Sequence, residues 1–110
     1  MGKLIVYMSS PLRGDIGMNV GYALRICGEL IKVGLCPVCS HLVGYGVYGE
    51  VSEAEAMGVA YRMIEVSDIL YNPLPIRTEG MRLEVEYARS LGKPIYEGIS
   101  VEELAYRLGV

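Results

Sequence analysis

Apolar and polar positions along this chain switch repeatedly between a two-residue and a 3.6-residue period. Lys3 to Ser9, KLIVYMS, is rich in strand formers and predicts a first strand. A loop, SPLRGDIG, leads to a helix from about Met18 to Val33. Val20, Ala23, Leu24, Cys27, Leu30 and Ile31 make its apolar stripe, with Arg25, Glu29 and Lys32 outside and Gly34 as the stop. Leu35 to Ser40 reads as a second strand, and His41 to Gly49, HLVGYGVYG, as a Gly/Tyr-rich loop. Ser52 and Glu55 have capping-box spacing and open a second helix that runs to about Val66. Asp68 to Tyr71 is a third strand, followed by the loop NPLPIRTEG and a third helix from about Met81 to Leu91, stopped by Gly92. Pro94 to Tyr96 is a short fourth strand, and Ser100 with Glu103 caps a last helix carrying Leu104 and Leu108.

Strand and helix in strict alternation predict an α/β fold. Right-handed crossovers then give a three-layer, doubly wound parallel sheet of about four or five strands, Rossmann-like or flavodoxin-like, with helices on both faces. Such sheets bind ligands beyond the carboxyl ends of their strands. The loops there are Ser9 to Gly17, His41 to Gly49 and Asn72 to Gly80, and they hold most of the chemically interesting side chains.

The 110 residues suit one domain, and the 52% hydrophobic content and mean hydropathy of +0.32 exclude a disordered chain. No apolar run reaches the roughly 18 residues of a membrane span, so the expectation is a soluble, cytoplasmic protein. Ten basic against 13 acidic residues leave a net charge of −3, which argues against a nucleic-acid polymer as partner. A small anion stays open, because one arginine in a pocket suffices for it.

Cys27, Cys36 and Cys39 are an odd set, as expected in a reducing compartment. CPVCSH brings metal-type residues close in sequence. On a strand, however, Cys36 and Cys39 point to opposite faces, and no helix pattern follows them as in a redox motif. All three are therefore expected in the core, with no metal and no cofactor.

Two features carry chemistry. In SSPLRGD, backbone N–H groups at a strand-to-helix turn favour an anion and Arg13 could clamp it; read otherwise, this is an ordinary turn with Arg13 solvated. The loop matches neither phosphate-binding glycine motif of the common nucleotide folds. On the third helix, Met81, Val85, Ala88 and Leu91 form the apolar face, while Arg82, Glu86, Arg89 and Lys93 form the polar one. Glu84 falls between Leu91 and Ala88 in angular order, on the face turned to the sheet. A carboxylate there must be paired, hydrogen-bonded or open to a cavity, and such groups include nucleophiles and bases.

The stretches VYMSSPLRGD, GLCPVCSHL and VSDILYNPLPIRTEGMRLEVEYARSLGKPI resemble the nucleoside 2-deoxyribosyltransferase-like superfamily. Nearest in layout are its 2'-deoxynucleoside 5'-phosphate N-hydrolases and a branch of small uncharacterised proteins. The most specific part is Thr78, Gly80, Glu84, Ala88 and Gly92 to Ile95, with the hydroxyl-x-Gly-x-x-x-Glu spacing intact. The resemblance implies that Glu84 is the nucleophile at the sugar C1'. It also implies that Ser9, Ser10, Arg13, Gly14, Thr78 and Gly80 bind substrate or its 5'-phosphate. His41, Tyr45, Tyr61 and Asn72 are expected to line the pocket. A homodimer or higher homo-oligomer, whose copies complete one another's sites, is implied as well.

The chain departs from that pattern at two points. The active enzymes carry an Asp about two helical turns before the third strand, and here that position is Ala60, beside Tyr61. The first loop has Pro11 where the hydrolases have a Ser. Two functions follow. One is an N-glycosidase acting on a nucleoside or (deoxy)nucleoside 5'-monophosphate, with His41 or one of Tyr45, Tyr48 and Tyr61 serving the leaving base. The other is a non-catalytic nucleotide-binding module that kept the pocket.

Overall fold

A computed structural model describes residues 2–12, 14–44 and 50–110. Its strands are β1 (Ile5–Met8), β2 (Cys36–Val38), β3 (Ile69–Asn72) and β4 (Ile95–Glu97). They form one sheet in the order β2-β1-β3-β4, and every pairing is parallel. The helices among the described residues are α1 (Ile16–Lys32), α2 (Ser40–Gly44), α3 (Glu53–Val66), α4 (Glu79–Ser90) and α5 (Val101–Leu108).

The two-residue strand period sorts the core into halves. Val6, Met8, Ile69 and Tyr71 turn to one face and pack with Ala23, Ile26, Cys27 and Leu30 of α1 and Val101 and Leu104 of α5. Tyr7 and Leu70 turn to the other and meet Ala60 and Ile64 of α3 and Val85 and Ala88 of α4. This is the expected doubly wound α/β sheet, with four strands.

Local signals act where the sequence places them. Ser52 and Glu55 make both bonds of a capping box at α3, and the Ser100 hydroxyl accepts the Glu103 N–H at α5. Asp15 caps α1 by accepting the Met18 N–H at 3.0 Å, so that helix starts at Ile16, ahead of the expected Met18.

Four expectations need correction. Leu24 and Ile31, assigned to the stripe of α1, are each 57% exposed, and Ile26 takes the core position instead. Leu91 of the third helix is also exposed. The second strand stops at Val38, and the chain turns at Ser40 into the one-turn helix α2, so part of the expected loop is helical. Cys36 is exposed, while Cys27 and Cys39 are buried. The reason is position: β2 pairs only with β1 at the sheet edge, where Pro37 also removes a ladder donor.

Candidate functional site

The carboxyl end of β1 builds the site. Tyr7 and Ser9 sit two residues apart and face α4, while Glu84, in the second turn of that helix, reaches back toward them. Glu84 is 3% exposed. Its Oε2 accepts the Tyr7 hydroxyl at 2.5 Å, and its Oε1 accepts the Ser9 hydroxyl at 2.7 Å. Both carboxylate oxygens are therefore held by neutral donors from one strand.

Burial pushes the Glu84 carboxyl above its ordinary 4.5, while the bonds from Tyr7 and Ser9 and the charge of His41 pull it back. Burial, and then the neighbouring Glu84 charge, push the Tyr7 phenol well above 10.0. The proton between the two therefore belongs to Tyr7. Ser40, the first residue of α2, lies 2.8 Å from the same phenolic oxygen. Tyr7 has one hydrogen and spends it on Glu84, so Ser40 donates to Tyr7.

Just past β1, Ser10 is buried, and its carbonyl lies 2.5 Å from His41 Nε2. A carbonyl only accepts, which puts a hydrogen on Nε2. Among the described residues the Ser10 hydroxyl makes no regular hydrogen bond and lies against the Cys39 thiol, a weak partner. Gly14, at φ 93°, takes a left-handed turn just before α1, a conformation that a β-carbon would strain.

The expected residues divide into groups. Ser9, Glu84, Ser10 and His41 gather at the end of β1. Ser9, expected to bind substrate or its phosphate, gives its hydroxyl to Glu84 and its N–H to the Tyr71 carbonyl at 2.9 Å. Thr78 caps α4 by accepting the Met81 N–H, and Gly80 follows, exposed, in the first turn. Asn72 is fully buried, and its amide is spent on Ile76 and Leu74 in the loop after β3 and on Glu97 at the end of β4. Tyr61 stacks on Tyr87 with ring centroids 4.4 Å apart, joining α3 to α4. Arg13 and Tyr45, like Tyr48, lie outside the described residues.

Ala60 is buried between the sheet and α4, and none of the bonds to Glu84 comes from a carboxylate of α3. Glu55 is used in the cap, and Glu65 accepts from Tyr87 and pairs with Arg62. Among the described residues no three His, Cys, Asp or Glu side chains gather as a metal site, and no helix is long and apolar enough to cross a membrane.

The sequence reading missed Tyr7 and Ser40. A signal for Tyr7 was present: it is the one polar-tipped residue in an aliphatic strand, in phase with Ser9.

A family model described as Domain of unknown function (DUF7768) matches residues 4–97. No curated protein matches the chain. Among solved structures, a 2-desoxiribosyltransferase from Leishmania mexicana is similar in fold, with a TM-score of 0.61 at 19% sequence identity. The match covers 86% of this chain and 63% of that one, so the chain spans less than two thirds of the enzyme's length.

Proposed function

We propose that this chain, which belongs to the family Domain of unknown function (DUF7768), is an N-glycosidase for a nucleoside or (deoxy)nucleoside 5'-monophosphate. The observation that carries the reading is Glu84: a buried carboxylate at the carboxyl edge of a parallel sheet, held by two hydroxyls and, among the described residues, with no cation bonded to it. A structural carboxylate is usually satisfied by a charged partner, whereas this one keeps its basicity for an electrophile. The likeness of fold to a 2-desoxiribosyltransferase supports the same choice of chemistry.

In this reading Glu84 attacks C1' of the sugar, and the base departs with the electron pair of the N-glycosidic bond. Tyr7 and Ser9 aim the two carboxylate oxygens. His41, tied to the Ser10 carbonyl and felt electrostatically by Glu84, hands the departing base its proton. Water or another base then breaks the glycosyl ester. Ser10, Gly14, Thr78 and Gly80, with Arg13, receive the 5'-phosphate at the first loop and the start of α4. The protein works in the cytoplasm without a cofactor, and a second copy covers the open strand ends.

The second reading, a binding module, draws on Ala60, where the superfamily's enzymes place an acid. Chromatography of the protein incubated with deoxynucleoside 5'-monophosphates, ribonucleotides and their nucleosides separates the two. Release of free base that is lost in Glu84→Ala supports the glycosidase. No release from any compound, with a thermal shift by one of them, favours the module.

A further inference from the structure

Helix α2 is only five residues long, yet its first two residues both reach the end of β1: Ser40 meets the Tyr7 hydroxyl and His41 meets the Ser10 carbonyl. We propose that Ser40 is a positioning residue: its hydroxyl donates to the Tyr7 oxygen, fixes the Tyr7 hydrogen on Glu84, and thereby keeps that carboxyl ionised. This concerns the same site as the proposed activity, but its central test needs no substrate.

The argument is one of hydrogen count. A phenol has one hydrogen and can accept at its oxygen, so Tyr7 can feed either Glu84 or Ser40 but not both. The 2.5 Å bond to Glu84 and the 2.8 Å contact to Ser40 give the chain a direction, from Ser40 through Tyr7 to Glu84. Linked bonds of one sense polarise each other, so the Ser40 donation makes Tyr7 the stronger donor. In agreement, the Ser40 bond works against the burial that makes Tyr7 a weaker acid. Without Ser40, Tyr7 keeps its hydrogen but loses that polarisation, and its buried oxygen lacks a partner.

The titratable groups that act on Glu84 among the described residues are few. Tyr7 comes from β1, His41 from α2, and Cys39 from the end of β2. In the half of the core beside this site α3 contributes Ala60 and Ile64 and α4 contributes Val85 and Ala88, with the rings of Tyr61 and Tyr87 packed against them. A change at Ser40 is therefore read out through Tyr7.

The test is a carboxyl-carbon NMR titration of the protein with 13C-labelled glutamate. Ser40→Ala is expected to raise the Glu84 midpoint by about 0.1 to 0.7 pH unit, the cooperative share of one charged hydrogen bond. Ser40→Thr, which keeps the donor, stays near wild type. In a Tyr7→Phe background, Ser40→Ala adds nothing further. An unchanged midpoint in folded Ser40→Ala, or an equal shift without the Tyr7 hydroxyl, overturns the proposal. Should Ser40→Ala not fold, Ser40→Cys is titrated instead; its weak S–H donor must raise the midpoint in the same direction, and no rise overturns the proposal. Where base release is measurable, its acidic limb moves with the midpoint. An enzyme that releases no base defeats the proposed activity and leaves the titration to decide the role of Ser40.

Discussion

Two carboxylates sit at the same edge of this sheet and are treated in opposite ways. Glu97, at the end of β4, takes Nε of Arg77 at 2.8 Å and a second bond from the same guanidinium, with the Asn72 amide as a further donor. Glu84, beside the end of β1, has two hydroxyls and, among the described residues, no cation bonded to it. The Arg77 bonds hold Glu97 below the ordinary carboxylate value, while burial lifts Glu84 above it. Glu97 is thereby finished chemistry, a clasp between the loop after β3 and β4. Among the described residues Glu84 is satisfied by hydroxyls and not by an ion pair, which is the condition that the proposed nucleophile requires.

The sharpest way to test this contrast is to delete each carboxylate in turn. Glu84→Ala is expected to remove base release entirely, whereas Glu97→Ala keeps it, both followed by chromatography of free base. Next in size is a third carboxylate placed in the same apolar half. Ala60→Asp, between Tyr7 and Val85, buries a charge with no partner and should cost about 3 kcal/mol or more in chemical denaturation. If that variant is as stable as wild type, the α3–α4 core is wetter than its packing implies.

Tyr7→Phe comes third. It removes one of the two donors to Glu84, a bond to a charged group worth about 1.5 to 3 kcal/mol, and should raise the Glu84 midpoint by about one to two pH units.

The smallest effects lie in the pH dependence of stability, where the two glutamates should differ in sign. Glu84 has a folded value above 4.5, so between the two values the native state holds the proton more tightly than the unfolded chain. Its contribution is present in acid and fades as pH rises through that window. Glu84→Gln should therefore gain in melting temperature relative to wild type as pH climbs above 4.5. Glu97 has a folded value below 4.5, so its contribution is present above that pH and is lost in acid. Because the pair with Arg77 is partly exposed, Glu97→Gln should cost about 1 kcal/mol or less near neutrality and nothing in strong acid. Parallel curves for the two variants would end the distinction.

The strand-helix alternation was legible from the chain, as were the caps at Ser52 and Ser100 and the inward turn of Glu84, because all follow from spacing within one element. The failures have one cause. Leu24 and Ile31 obey the helical period of α1 yet stay exposed, since period marks a stripe but not how wide a neighbour covers it. Cys36 has an apolar sequence context and ends outside, because β2 is an edge strand, and strand order is not written in local pattern. Ser40 reads as the end of a strand until the chain turns there.

By itself, then, the sequence determined the elements, the parallel sheet and the presence of one carboxylate on the wrong side of a helix, all consequences of short-range periodicity. Tertiary structure decided which groups answer that carboxylate. Tyr7, Ser9 and Ser40 lie 77, 75 and 44 positions from Glu84 in sequence, and only the packing of α4 and α2 around the end of β1 brings them within hydrogen-bond reach or one step behind it. Burial, which sets the energy of the charge, exists only once those elements close over it.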